Sequence, residues 1–435
     1  MGPRHLLVVN YEYPPVASVG GVRWLTMKKY LERLGYRVSV LTTDAFGRLA
    51  DDEAQGVIRA PDLVGSQTLR RVLRRPELPS LGSDPVDTTP SWLVTSVVVP
   101  DVYAASWVPS AVRVLRRLAR HDRIDALVST SPKDSTHLVG LAAPRSRLAW
   151  IADFRDGWTF ESTRPPLPTR AQRALDARLE ASVVRNADAV VAFSRTLVAD
   201  FERRLARRAF YVPNGYDPEP DQAPDADEPV LAPSRGKIRL VYTGTLTGAA
   251  GAPTDRSPLP LLEALDVLSQ QDRGLAERLE LIIAGRRNER DEAILRRFAH
   301  VGAIEHVGYL ARPTALALQR SADVLVAVSG TTPSSIPLKL FEYLGARKPI
   351  LHLGHPGEAA RLLDDTGVGV TVSLDDREAI VAALRTIALA EFAESYAPRN
   401  LEQYSYPYVA QQMAEVIEGA IARRRNQRRN AASSS

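Results

Sequence analysis

TTPSSIPLKLFEYLGARKPIL, residues 331–351, carries more structural and chemical information than any other stretch of the chain. Thr331, Thr332, Ser334 and Ser335 make a small polar loop that leads to Pro337. Proline suits a first helical turn, because the N–H it lacks would have no intrahelical partner there. Leu338, Phe341 and Leu344 recur at helical spacing and form one apolar face, with Lys339, Glu342 and Tyr343 on neighbouring turns. Gly345 is expected to end the helix, and Pro349 to lead into a short strand, Ile350–Leu353. The free N–H groups and dipole of a helix start favour phosphate, Lys339 adds a cation, and Glu342 one turn further can accept both hydroxyls of a ribose. An ordinary amphipathic connector between helix and strand would use the same residues, so the stretch alone leaves both readings open.

The α/β alternation continues in both directions. His5–Asn10 reads as a buried strand, Tyr11–Gly21 as a loop, and Val22–Leu34 as a helix ending at Gly35, before strand Val38–Thr42. Gly20 and Gly21 just before that helix would let backbone approach a ligand, though they do not make a GxGxxG fingerprint. Residues 51–100 lack clean periodicity and read as a long insertion; Arg70, Arg71, Arg74 and Arg75 make a basic cluster there, either a solvated face or a contact for an anionic acceptor or membrane. Strand Leu148–Ala152 ends in Asp153-Phe154-Arg155-Asp156, and charged residues at the end of a parallel strand lie where α/β sites are built. Residues 217–236 are rich in Pro, Asp and Ala and read as a linker. A second series follows, with strands Ile238–Tyr242, Leu279–Ala284 and Val324–Ser329. The expected domains are 1–216, completed by a C-terminal helix over 409–425, and 237–405, with a disordered tail over 426–435.

Bulk composition bounds the function. The 435 residues are too many for one core, and 45% hydrophobic with 25% charged residues describes a globular protein. There is no cysteine, and the seven histidines show no metal-ligand spacing, so no metal or cofactor is expected. The net charge of +5 is concentrated near the end, at Arg423, Arg424, Arg425, Arg428 and Arg429. These read as a solvated helix end, with a peripheral membrane contact as the sharper alternative and no nucleic-acid partner expected. The opening apolar run is too short for a signal peptide, so a cytoplasmic location is the default, peripheral at the inner face of the membrane if the basic residues engage it.

The ordered set of motifs resembles the family-4 glycosyltransferases, retaining enzymes of the GT-B fold. The set comprises YPP at 13–15 with Gly20-Gly21, SPKDSTHLVG at 131–140, IADFRDGW at 151–158, PNGYD at 213–217, YTGTLTG at 242–248, IIAGRR at 282–287, VGYL at 307–310, ADVLVAVS at 322–329 and IPLKLFEYLGARKPIL at 336–351. The resemblance implies two Rossmann-like doubly wound domains facing each other across a cleft, the first binding acceptor and the second binding a nucleotide sugar. It implies that Glu342 grips the donor ribose and that Lys339 approaches the diphosphate. Gly20 and Gly21 would close over that diphosphate, while Gly244, Thr245, Thr331, Thr332, Ser334, Ser335, Ile336 and Leu340 would line the donor site. By the same resemblance, Asp153 and Asp156 fall in the region where many relatives carry a histidine beside the sugar. Two departures stand out: Ser334 replaces the first glutamate of the family's pair, and no cation follows the first strand of the second domain before Arg256. Arg286 at the next strand end is the candidate to supply the missing charge.

The implied reaction moves a sugar from a nucleotide-diphosphate sugar, UDP favoured over GDP, to a hydroxyl acceptor with retention and without a metal. Asp153, Asp156, Lys339 and Arg286 are the candidate catalytic residues. The acceptor is left open among a natural product, a lipid-linked glycan and a peptide. A nucleotide-sugar 2-epimerase of the same fold and a non-catalytic nucleotide-sugar-binding partner remain as alternatives.

Overall fold

The computed structural model describes residues 3–16, 19–63, 98–144, 148–162, 164, 166–220, 236–246, 257–301 and 304–433. The Arg70–Arg75 cluster and most of the expected linker therefore lie outside the described residues. The chain divides into two units, one of Met1–Asn214 with Tyr406–Ser435, the other of Gly215–Ser405.

The first unit is built on a parallel sheet of seven strands: β1 (Arg4–Val9), β2 (Tyr36–Thr43), β3 (Val57–Ala60), β4 (Ala126–Thr130), β5 (Ala149–Phe154), β6 (Ala189–Ala192) and β7 (Phe210–Tyr211). Their spatial order is β3-β2-β1-β4-β5-β6-β7, the doubly wound order in which the chain reverses direction between β1 and β4. Its helices are α1 (Val19–Arg33), α2 (Tyr103–Ser106), α3 (Val108–His121), α4 (Thr136–Leu141), α5 (Arg170–Asn186) and α6 (Arg195–Leu205). The central strands are buried on both faces, which explains their continuous apolar runs rather than alternation. Thr169 starts α5 with a complete capping box to Gln172, and Ser194 caps α6 through the Leu197 N–H.

The second unit repeats the plan with β8 (Ile238–Thr243), β9 (Leu279–Ala284), β10 (Ile304–Gly308), β11 (Val324–Val328), β12 (Ile350–Leu353) and β13 (Gly369–Val372), in the order β10-β9-β8-β11-β12-β13. Around them run α7 (Leu259–Gln271), α8 (Arg273–Glu277), α9 (Glu289–Arg297), α10 (Arg312–Arg320), α11 (Leu338–Ala346), α12 (Glu358–Thr366) and α13 (Arg377–Ala388). The chain then returns to the first unit as α14 (Tyr406–Ser433), whose Val409, Met413, Ile417 and Ala420 join the core formed by α1 and the first sheet.

Several boundaries differ from the sequence reading. Helix α1 opens at Val19, so Gly20 and Gly21 lie inside its first turn rather than in a loop before it. Strand β3 falls where no periodicity was readable, since four residues are too few to show one. Gly345 does not end α11; the helix runs to Ala346 and Arg347 takes the left-handed cap at φ 56°. Gly345 has another task, because a Cβ there would lie 3.0 Å from the Tyr216 side chain. Helix α14 continues through Ser433, where the sequence reading stopped a helix at Arg425 and expected a disordered tail.

Candidate active site

In the second unit the polar loop 331–337 enters α11 through Pro337, whose extended backbone (φ −57°, ψ 133°) makes it the N-cap, and no side chain caps the helix. The loop is fixed from below: the Glu358 N–H donates to the Pro333 carbonyl at 2.8 Å, and a Cβ on Gly357 would press within 2.6 Å of that oxygen. Ser334 and Ile336 are buried, Thr331 is exposed, and Thr332 and Ser335 are half-buried. Leu340 faces the core.

Lys339, in the first turn of α11, lies with its Nζ 4.6 Å from the centre of the buried Tyr242 ring. The negative face of the ring attracts this cation. A methyl group on Gly244 would collide with this Nζ, and one on Gly285 would collide with the Gly244 carbonyl. The ends of β8 and β9 are thus stacked backbone against backbone, with the Gly244 N–H donating to the Ala284 carbonyl at 2.7 Å and Gly285 to Gly308 at 2.8 Å. Thr245 holds this corner by accepting a hydrogen bond from the Tyr242 hydroxyl on its carbonyl, at 3.1 Å. Lys339, Gly244 and Thr245 are therefore neighbours at this corner.

Glu342, one turn along, is mostly shielded and already engaged. Arg312 donates to its Oε1 from Nε at 3.2 Å and from Nη2 at 3.1 Å, and Gln319 Nε2 approaches Oε2 at 3.5 Å. Next to it the buried Tyr343 hydroxyl meets Thr243, accepting from its N–H at 3.1 Å; burial pushes this phenol up to about 12, so it stays protonated. Arg312 and Gln319, both on α10, escaped the sequence reading. Arg286 stacks its guanidinium on the Tyr309 ring at 4.3 Å, and Tyr309 itself is 52% exposed. An exposed aromatic after a parallel strand is a readable signal, and VGYL contained it.

In the first unit Asp153 does not face an accessible site. Its side chain is fully buried at the end of β5 and takes hydrogen bonds from Trp24 Nε1 at 2.9 Å, Thr130 Oγ1 at 2.9 Å and Arg23 Nη2 at 3.3 Å. Arg23, also fully buried, then ties the chain after β7 by donating to the Val212 and Pro213 carbonyls and to Asn214 Oδ1. A carboxylate whose lone pairs are taken up inside the core is a structural anchor, which corrects its assignment as a catalytic residue.

Asp156 is half-buried. It belongs to an acidic group with Asp101, Asp134 and Asp176 around Arg164, which lies 3.0 Å from both Asp134 and Asp176. Burial dominates over the Arg164 cation and pushes the Asp134 carboxyl up to about 8, with Asp101, Asp176 and Asp156 adding to the rise. Burial thus favours the protonated form of Asp134, which lies in the loop between β4 and α4, and the sequence reading missed it within SPKDS.

Two imidazoles are locked in the interior. His352 bridges Ser329 Oγ at 2.8 Å and Thr371 Oγ1 at 3.1 Å, and burial lowers it to about 4; His137 meets Ser129 Oγ at 2.9 Å, and burial lowers it to about 3 despite the nearby Asp153. Both stay neutral in the native state while the unfolded chain takes up protons near pH 6.5. Stability is therefore fully present above pH 6.5 and is lost as the pH falls toward 4, by up to about 3 kcal/mol for His352. Urea midpoints measured between pH 7.5 and 4.5 should fall with pH, and the fall should be shallower in His352→Asn; equal slopes would contradict the assignment.

Among the described residues no group of three or more His, Asp or Glu side chains has a metal-binding arrangement, and no helix is long and apolar enough to cross a membrane. The sequence pattern of the glycosyl transferase 4-like domain matches residues 20–215. No curated protein matches the chain. Three solved structures illustrate the fold likeness. Sucrose-phosphate synthase from Thermosynechococcus elongatus is similar with a TM-score of 0.62 at 14% identity, over 99% of this chain and 100% of that one. A glycosyltransferase from Rickettsia africae ESF-5 has a TM-score of 0.59 at 11% identity, over 97% and 99% of the two chains. Anabaena HepE, solved in complex with UDP, has a TM-score of 0.57 at 14% identity, over 95% and 99%. Residues 20–215 thus match the glycosyl transferase 4-like domain, and the two doubly wound units have the GT-B fold of these solved structures.

Proposed function

We propose that the protein transfers a sugar from a nucleotide-diphosphate sugar to a hydroxyl acceptor with retention at the anomeric carbon and without a required metal, and that UDP is the preferred nucleotide. The observation that carries this reading is the α11 corner: an uncapped helix start, a cation and a shielded carboxylate within two turns, against the glycine-paired ends of β8 and β9. The loop and the first turn of α11 receive the diphosphate, and Lys339 offsets the charge that develops on it as the glycosidic bond breaks. Glu342 takes the ribose hydroxyls, and Arg312 must yield at least part of its hold for them to bind. The UDP preference draws on the complex of Anabaena HepE with UDP, a protein of the same fold. Retention draws on the family resemblance. Asp153, enclosed in the core, is not available to pair with Asp156 in a double displacement, which favours front-side attack by the acceptor.

Glu342→Ala tests the donor site. A carboxylate accepting ribose hydroxyls contributes about 1.5–3 kcal/mol, so UDP affinity by calorimetry should weaken about tenfold to a hundredfold. Unchanged affinity for both UDP and GDP would overturn the ribose assignment. Turnover is tested by incubating UDP-sugars with and without hydroxyl acceptors. Transfer only with acceptor supports the transferase; an epimerised donor in its absence would replace it.

A further inference from the structure

The N-terminal edge of the first sheet, opposite the strand ends discussed above, is strongly basic. Among the described residues, four of the clefts there are lined by eleven arginines against four carboxylates, a local excess larger than the net +5 of the whole chain. One of them, of about 420 Å³, lies between the end of α5, the turn from α6 into β7, and the last turns of α14. Arg185, Arg207, Arg208, Arg423 and Arg424 line it, with Asp188 as the one carboxylate.

We infer that this cleft is a second anion site, built for a phosphate monoester or diphosphate group. Asp188 cannot balance the five cations, because its Oδ2 already accepts the Trp150 N–H at 2.8 Å and its Oδ1 faces Arg424 at 3.8 Å. Arg208 and Arg423 both stack on the Phe210 ring, at 5.5 and 5.8 Å, which sets two guanidinium groups beside the cleft before any ligand arrives. Arg207 gives one N–H to the Ala187 carbonyl, while its Nε is buried without a partner. Burial and the neighbouring Arg423 both lower the Arg207 cation from its ordinary range, which is what an uncompensated positive field does. The small residues Ala187, Ala189 and Ala206 leave room between the arginines. Several guanidinium forks around one space suit the many acceptor oxygens of phosphate better than a single carboxylate.

The phosphate could be carried by a soluble metabolite or by an anionic lipid headgroup, and one experiment separates the two. The full chain carrying Lys339→Ala, which removes the diphosphate cation of the donor loop, is titrated with inorganic pyrophosphate at constant ionic strength. It is also sedimented with vesicles of phosphatidylcholine alone or with phosphatidic acid. Saturable binding of either probe is expected, weakened at least tenfold when the exposed pair Arg208→Gln and Arg423→Gln is added. Pyrophosphate binding alone assigns a soluble ligand, and retention on phosphatidic acid vesicles assigns a lipid-borne one. Binding that survives the double substitution, or no binding of either probe, overturns the inference, and neither outcome touches the donor-site reading.

Discussion

Lys339→Ala is expected to lower kcat by about two to three orders of magnitude, with a smaller rise in the KM for the donor. The reasoning is differential: the diphosphate gains charge as the sugar leaves, so a cation beside it does more for the transition state than for the bound donor. Removing one pre-organised group that faces developing charge typically costs about 10²–10³ in turnover, about 2.7–4 kcal/mol. Lys339 is pre-organised by the Tyr242 ring and by the bare backbone of Gly244, where a Cβ would displace its Nζ. For the same reason Lys339→Arg should rescue poorly, since a guanidinium needs space that the corner does not offer. Steady-state rates for both variants, with thermal melts to show that they remain folded, decide the matter. A kcat within twofold of the parent would remove Lys339 from the chemistry.

Asp153→Ala should instead be a stability variant. Asp153, Arg23, Trp24 and Thr130 form a closed buried cluster, and Arg23 extends it to Val212, Pro213 and Asn214. Deleting one partner leaves a buried cation without its counter-charge, at a cost of about 3–5 kcal/mol. That is a large part of the stability of an ordinary domain. Asp153→Asn keeps an acceptor for Trp24 but not the charge for Arg23, and it should fall between the two. Urea midpoints would show the loss directly. Unchanged midpoints with abolished turnover would return Asp153 to the catalytic residues.

These two residues show where the sequence could be read and where it could not. The α/β alternation and the loop-helix-strand at 331–353 follow from local pattern, turn chemistry and motif order. The two sheets in one strand order are the expected consequence. Asp153 was misjudged because a carboxylate at a strand end looks alike whether it faces solvent or core, and its partners Arg23 and Trp24 lie 130 and 129 residues away. Arg312 and Gln319 were missed for the same reason, since α10 is brought to Glu342 only by the fold. Gly345 looked like a helix end, whereas its smallness accommodates Tyr216. Asp134 shows the limit for acidity: its raised proton affinity comes from burial, which no local motif encodes.

The central claim is that α11 holds a nucleoside diphosphate by its first turn and its acid. A crystal structure of the protein soaked with UDP tests this most directly. The expected density places the diphosphate on residues 331–339 and the ribose hydroxyls on Glu342, with Arg312 turned away from at least one carboxylate oxygen. Nucleotide bound elsewhere, with the Arg312–Glu342 pair intact, would contradict it.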